Sequence, residues 1–322
     1  MKIKSVLVTG ASAGIGKEVA RQLALKPEVE TIYLACRNEQ RALMAKQELE
    51  RKTGRAIFKV LIMDVSKIAS VLAALNRLKD PVDAIVMNAG GFGGEKPMRI
   101  TEDGVTELFA QNVLGHVVFL ERLLSSGQLT QAAIFVGSEA ARGVSKIGIK
   151  RPASSSSEEF GKVISGSAYV GKKMDVFSAY GEVKQIGTLW MAHVARRHPT
   201  LRILTISPGG TNGTQAANSQ PVPIRLFYNY IFLPILGPIL GLVHSLETGA
   251  ARIVNGLFND SLLSGHFYAC KANTLTGRMV DQQEIMPALG DEVLQCMASE
   301  AIYSVLPADV LEVEEGLKEM PR

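Results

Sequence analysis

The apolar positions of this chain fall into short unbroken runs separated by stretches in which they recur every three or four residues. Ile3, Val6, Leu7 and Val8 form the first run, and Ile15, Val19, Ala20 and Leu23 then follow at helical spacing. That change of period predicts a strand, a turn and a helix. TIYLA (31–35) predicts a second strand, the charged stretch from about Glu39 to Lys52 a helix, and IFKVLIM (57–63) a third strand. DAIVMNAGG (Asp83–Gly91) reads as a fourth strand running into a small turn, Glu102 to Leu124 as a helix, and AAIFVGS (132–138) as a fifth strand. Val183, Ile186, Trp190 and Val194 follow Tyr180 at helical spacing, and LRILTIS (201–207) supplies a sixth strand. A helix over Glu247–Phe258 and a strand over Gly265–Ala269 close the pattern. Alternation of this kind predicts a doubly wound α/β fold, a mostly parallel Rossmann sheet with helices on both faces.

With 322 residues the chain is long enough for one large domain, 1–322, and no internal repeat divides it. Three segments stand apart: an insertion at about 142–177, an apolar segment at about 222–244, and a polar, mostly acidic tail at about 307–322. The insertion carries Arg142, Lys146, Lys150, Arg151, Lys162, Lys172 and Lys173 against Glu158 and Glu159, and reads either as a solvated surface loop or as a lid beside a substrate pocket. The run Leu226–Val243 is uncharged, and Asn229, Pro234 and Pro238 interrupt it. It therefore reads as a substrate cover rather than a membrane span. A net charge of +4, with no dense Lys/Arg run, gives no basis for a nucleic-acid partner. Cys36, Cys270 and Cys296 are odd in number and lack metal-ligand spacing, so reduced thiols in a cytoplasmic protein and no metal are expected. The amino-terminal apolar run is broken at once by Thr9 and Gly10, which suits a first strand better than a signal peptide, so the Asn212 and Asn259 sequons carry no expectation.

The chemistry begins at TGASAGIG, Thr9 to Gly16. Gly10 would permit the tight turn, Gly14 the approach of backbone N–H groups to a pyrophosphate, and Gly16 close packing of helix on strand. The phosphate would sit at the positive end of the helix, against Gly14, Ile15 and Gly16. At the end of the second strand stands Arg37, where an acidic residue would read a free ribose 2′-hydroxyl. An arginine suits a 2′-phosphate by paired N–H donors, and Ser12 can add another, so NADP(H) is expected over NAD(H). Two Tyr-x-x-x-Lys pairs occur, Tyr169/Lys173 and Tyr180/Lys184, and each would put phenol and ammonium on one helix face. Only Tyr180/Lys184 is followed by an apolar helical stripe.

The spacing G-x-x-x-G-x-G, with NAG after the fourth strand and Tyr-x-x-x-Lys one helix before the sixth, resembles the short-chain dehydrogenase/reductase family. The N-x-L-G-H stretch resembles the branch with retinol dehydrogenases and protochlorophyllide reductases. The resemblance implies that Asp64 and Val65 meet the adenine, Asn88, Ala89 and Gly90 the cofactor, and Pro208 and Gly209 the nicotinamide amide. It implies a catalytic set of Asn112, Ser138, Tyr180 and Lys184: Tyr180 the proton donor, Lys184 lowering its pKa and holding the nicotinamide ribose, Ser138 orienting a carbonyl, and the Asn112 carbonyl supporting a proton relay. In GTNGT, Thr211 stands in the aliphatic place and Gly213 in the threonine place of the family pattern, so Thr211 or Thr214 would meet the nicotinamide. The reading is an NADPH-dependent oxidoreductase interconverting carbonyl and alcohol on a lipophilic small-molecule substrate. A C=C reductase or a catalytically silent NADP(H)-binding protein are the alternatives. The complete Ser/Tyr/Lys set speaks against silence, and the lack of a cysteine in the Pro208–Gly209 turn against the C=C reductase. Peripheral membrane contact and a homodimer or homotetramer, paired through the helices flanking the fifth strand, stay open.

Overall fold

Leu7, Val8, Ile85, Val86, Ile134 and Leu204 are all fully buried. Their strands read as unbroken apolar runs because a parallel strand is covered on both faces. Successive residues serve opposite sides: Leu7 joins one apolar core and Val8 the other. The computed structural model describes residues 2–172, 175–212, 241–307 and 310. The strands are β1 (Ser5–Thr9), β2 (Thr31–Cys36), β3 (Phe58–Ile62), β4 (Val82–Met87), β5 (Leu129–Val136), β6 (Arg202–Ile206), β7 (Phe267–Cys270) and β8 (Met279–Asp281). They form one sheet in the order β3-β2-β1-β4-β5-β6-β7-β8, parallel throughout except where β8 runs antiparallel to β7. The order reverses between β1 and β4, and the crevice at the carboxyl ends of those strands is where such sheets bind ligands.

The helices in chain order are α1 (Gly14–Ala24), α2 (Glu39–Thr53), α3 (Ile68–Arg77), α4 (Glu107–Phe109), α5 (Gly115–Ser125), α6 (Ser157–Ser165), α7 (Val176–Arg197), α8 (Leu246–Phe258) and α9 (Glu292–Tyr303). Apolar side chains of α1, α2 and α8 fill the core on one face, and those of α3, α5, α6, α7 and α9 fill the other. The insertion is part of this second core: α6 buries Phe160, Val163 and Ile164 and packs against α7 and α9.

Several boundaries differ from the pattern-based expectation. The helix expected from Glu102 begins at Glu107, because Gly104 turns the chain at φ +77° and the Thr106 hydroxyl caps the next turn, accepting from Phe109 N–H at 3.2 Å. Strand β8 and helix α9 have no counterpart in the sequence reading. The three residues of β8 are too few to show a period, and they pair at the sheet edge. Arg142, grouped by sequence with the solvated basic residues, is 3% exposed, because backbone carbonyls of a distant loop surround it. Lys173, Gly213, Thr214, most of Leu226–Val243 and nearly all of the tail lie outside the described residues. Among the described residues no helix is long and apolar enough to cross a membrane.

Candidate active site

The loop between β1 and α1 is shaped by its glycines. Gly10 and Gly14 sit at φ +68° and +52°, which favours residues without Cβ. A Cβ on Gly16 would come 2.6 Å from the Gly10 carbonyl and 2.5 Å from Asn88 Nδ2, so α1 can start this close to β1 and β4 only with glycine there. The helix then opens without a side-chain cap, Ala13 being its N-cap, and with no acidic residue in its first turn. Its leading N–H groups and dipole are thus available to an anion. A pyrophosphate fits this cradle.

At the end of β2, Cys36 is buried and its thiol hydrogen-bonds the Ser12 side chain; burial pushes the thiol pKa up. Ser12 therefore stands beside the strand end from which Arg37 projects into solvent. After β3, Asp64 accepts from the Ser66 hydroxyl at 2.7 Å and from Ser66 N–H at 3.0 Å through one carboxylate oxygen. The Val65 carbonyl would lie 1.9 Å from a Cβ on Gly115, which explains the glycine at the start of α5.

The turn after β4 hangs on Thr9. Its Oγ1 accepts from Asn88 N–H at 2.9 Å and Ala89 N–H at 2.8 Å, and Asn88 Nδ2 donates to the Thr9 carbonyl at 2.9 Å. With its lone pairs used, the Thr9 hydroxyl donates to His116 Nε2 at 3.0 Å, so the remaining ring proton is assigned to Nδ1, 3.2 Å from the Asn112 carbonyl. Burial holds His116 neutral, its pKa lowered to about 3. Asn112 lies in a π-helical turn, Ala110–Leu114, between α4 and α5. Such turns widen a helix and leave carbonyls to be satisfied from outside the usual ladder. The Asn112 amide donates to the carbonyls of Leu108 and Gly91, both at 2.8 Å, and its Oδ1 accepts from Gly91 N–H at 3.2 Å. A Cβ on Gly90 would meet Asn112 Oδ1 at 2.5 Å and Lys184 Nζ at 3.6 Å, so Gly90, Asn112 and Lys184 converge on one spot.

Ser138 follows β5 and caps the short 3-10 turn Glu139–Arg142, accepting from Ala140 N–H at 3.2 Å. Helix α7 comes close to this turn because Gly181 faces the Ala140 carbonyl, where a Cβ would sit at 2.5 Å. Tyr180 is thereby brought to Ser138, with which its side chain hydrogen-bonds. Burial raises the Tyr180 pKa above that of a free phenol, and the Glu139 charge acts in the same direction while the Ser138 bond opposes it. Lys184, one turn further along α7, is 3% exposed. Its Nζ donates to the Val136 carbonyl at 2.9 Å, lies 4.7 Å from the Phe135 ring centre and 5.7 Å from that of Tyr180. Burial brings its pKa down to about 7. Tyr169 stands on a separate turn, Ser167–Tyr169, with its hydroxyl bonded to Glu182.

Beyond β6, Gly209 turns the chain at φ +77°. The Pro208 carbonyl lies 2.7 Å from His244 Nε2, and Gly210 N–H donates to the Leu275 carbonyl at 2.6 Å. Thr211 is buried and its hydroxyl donates to the Gly209 carbonyl at 3.0 Å, within the turn itself. Two residues absent from the sequence reading complete the surroundings of Tyr180. The Phe92 ring packs edge-on against Tyr180 at 4.9 Å and against Phe177 at 5.1 Å. Phe177 is 50% exposed. The helical offset of three between Phe177 and Tyr180 was the available signal. Among the described residues no His/Cys/Asp/Glu group could hold a metal.

Residues 4–149 match the short chain dehydrogenase family. Over that stretch, which takes in the glycine bend, Asn112 and Ser138, the chain is similar to the short-chain dehydrogenase/reductase family. That family consists of oxidoreductases that use a nicotinamide cofactor. Over 239 residues the chain is 26% identical to Oxidoreductase AN1596 of Emericella nidulans, a match covering 73% of this chain and 66% of that protein. It is 30% identical over 173 residues to the human 3-keto-steroid reductase/17-beta-hydroxysteroid dehydrogenase 7, covering 43% and 51% of the two chains. The matches thus span less than two thirds of these relatives. A short-chain type dehydrogenase/reductase from Mycobacterium ulcerans shares the fold, with a TM-score of 0.58 at 19% identity over 91% of this chain and 97% of that one.

Proposed function

We propose that this protein is an NADPH-dependent oxidoreductase that interconverts a carbonyl and an alcohol on a lipophilic substrate. The observation that carries the reading is the hydrogen bond between Ser138 and Tyr180, with Lys184 buried one turn away and Gly90 and Asn112 beside it. The bound cofactor would supply or accept a hydride. Ser138 holds the substrate oxygen against Tyr180, and Tyr180, kept protonated by burial, gives that oxygen its proton. The Lys184 charge favours the phenolate left behind. Asn112, in its π-turn, keeps the Gly90–Gly91 turn in place through its amide. Thr211 is expected to act on the nicotinamide end through the shape of its turn rather than by its hydroxyl, which the turn already uses.

Arg37, exposed next to Ser12, supports a 2′-phosphorylated cofactor. Phe92 and Phe177 support an apolar substrate, as does the keto-steroid named in one relative's description. Lys150 and Arg151 line a cleft of about 390 Å³ next to the Ser138 turn, which suits a polar or anionic substrate end. The test is turnover of NADPH with a panel of lipophilic ketones and aldehydes, repeated with Tyr180→Phe. Loss of about 10²–10⁴-fold in kcat with unchanged NADPH affinity is expected. Full activity in that variant would refute the assignment.

A further inference from the structure

The densest buried charge outside the residues already used begins one position past Ser138. Glu139 is 3% exposed. One carboxylate oxygen accepts from the Ser207 hydroxyl at 2.6 Å and the other from Cys270 N–H at 3.1 Å. Ser207 Oγ in turn accepts from Gly209 N–H at 3.0 Å. A continuous chain of hydrogen bonds therefore runs from the turn after β6, through Ser207 and Glu139, to the turn that carries Ser138, with β7 fixed by the second oxygen. Arg142 lies on the same 3-10 turn, and Arg252 reaches Cys270 Sγ at 3.0 Å, so positive charge balances the carboxylate.

We infer that Glu139 is a positioning residue: its carboxylate ties the Pro208–Gly209 turn to the Ser138 turn and so sets where a nicotinamide seated on the first lies relative to the second. The inference rests on the cofactor reading above. Its physical basis is that bonds to an ionised acceptor are the stronger ones, and that this acceptor is desolvated, so the two turns cannot drift apart without exposing or orphaning a charge. Glu139 also acts on Tyr180, whose pKa its charge raises. Neither a glutamine nor a shortened partner reproduces the tie. In Glu139→Gln one of the two amide positions must face a donor with a donor, and in Ser207→Ala the link to Gly209 is missing while the carboxylate keeps its Cys270 contact.

Two measurements on the full chain test this. Hydrogen exchange of the cofactor-free protein should speed up over residues 207–212 in Glu139→Gln and in Ser207→Ala. Fluorescence titration should show NADPH binding about tenfold weaker in each. The double variant should lose no more than the weaker single, because both act through one chain of bonds. Emission of bound NADPH at saturation should fall towards that of free NADPH, since the nicotinamide end is no longer held. Adenosine 2′,5′-bisphosphate, which has no nicotinamide end, should bind all variants equally. If Glu139→Gln does not fold, Ser207→Ala decides alone. Unchanged exchange and NADPH affinity, additive losses, or an equal loss with adenosine 2′,5′-bisphosphate would overturn the inference. Faster exchange in the variants of a protein that binds no NADPH would uphold the tie and refute the cofactor reading.

Discussion

The loops after β1 and β4 and those after β5 and β6 border the same crevice, yet they are held by different means. In the first pair the work is done by backbone and small residues: Gly10, Gly14 and Gly16 shape the bend, and Thr9 gathers the N–H groups of Asn88 and Ala89. In the second pair it is done by buried charge. Glu139, Arg142, Arg252 and Gln282 are all buried, and Arg142 donates to the carbonyls of Gly143, Cys270 and Lys271. Among the described residues no buried lysine or arginine precedes Arg142. A phosphate presents the same oxygens whatever the substrate, so a backbone cradle suffices for it. The side proposed to meet the substrate would have no such common feature, and there long side chains fasten turns from elements far apart in sequence.

The difference can be broken most severely at Arg142. Arg142→Met should cost about 3–5 kcal/mol in urea unfolding, since it leaves carbonyls without donors and Glu139 without its neighbouring cation. A loss below about 1 kcal/mol would mean that the second pair of loops does not depend on buried charge.

Lys184→Met should abolish turnover and yet stabilise the fold. The unfolded chain holds the lysine proton up to its ordinary value of 10.5, whereas the folded protein releases it near 7. Between those values the unfolded state binds more protons, so wild-type stability from this group rises with pH, and the full penalty is present below about pH 7. The advantage of the variant, a few kcal/mol at about pH 6.5, should therefore shrink by about pH 9.5. A constant or growing advantage would show that Lys184 is not held near neutrality.

Gly16→Ala sharpens the other side. The new methyl must displace the Gly10 carbonyl or the Asn88 amide, at a cost of about 1–3 kcal/mol, and should remove measurable NADPH binding while the chain still folds. Retained affinity would place the phosphates elsewhere. The smallest effect on the fold is expected at Arg37, which is exposed. Arg37→Asp should leave stability unchanged and move the ratio of NADPH to NADH affinity by about tenfold or more towards NADH. Equal affinity for both cofactors in the unaltered protein would already refute the role given to Arg37.

The features legible in the sequence are those fixed within a short window. The glycine bend, the strand runs, and the four-residue offset of Tyr180 and Lys184 each follow from local sterics or helical period, and each stands where expected. Tyr180 was separable from Tyr169 by the apolar stripe after it, and in the fold only Tyr180 stands on α7. What local pattern could not convey is which polar side chains go inside. Arg142 and Glu139 look like surface residues at the head of a basic insertion. They are buried because Cys270, Lys271 and Gln282, some 130 residues later, bring carbonyls and an amide to them as β7 and β8 join the sheet.

The Tyr180 pKa is decided in the same way. Sequence alone places a lysine on its helix face, but the fold buries the phenol, turns Lys184 towards the Val136 carbonyl, and adds the charge of Glu139, so the phenol is raised instead. By itself the sequence determined the parallel strands β1–β7, the glycine bend and the spacing of Tyr180 and Lys184, because backbone geometry repeats with a fixed period. Only the tertiary structure decided which charges are buried and how the turns after β5 and β6 are fastened, because desolvation depends on every element that closes over a group.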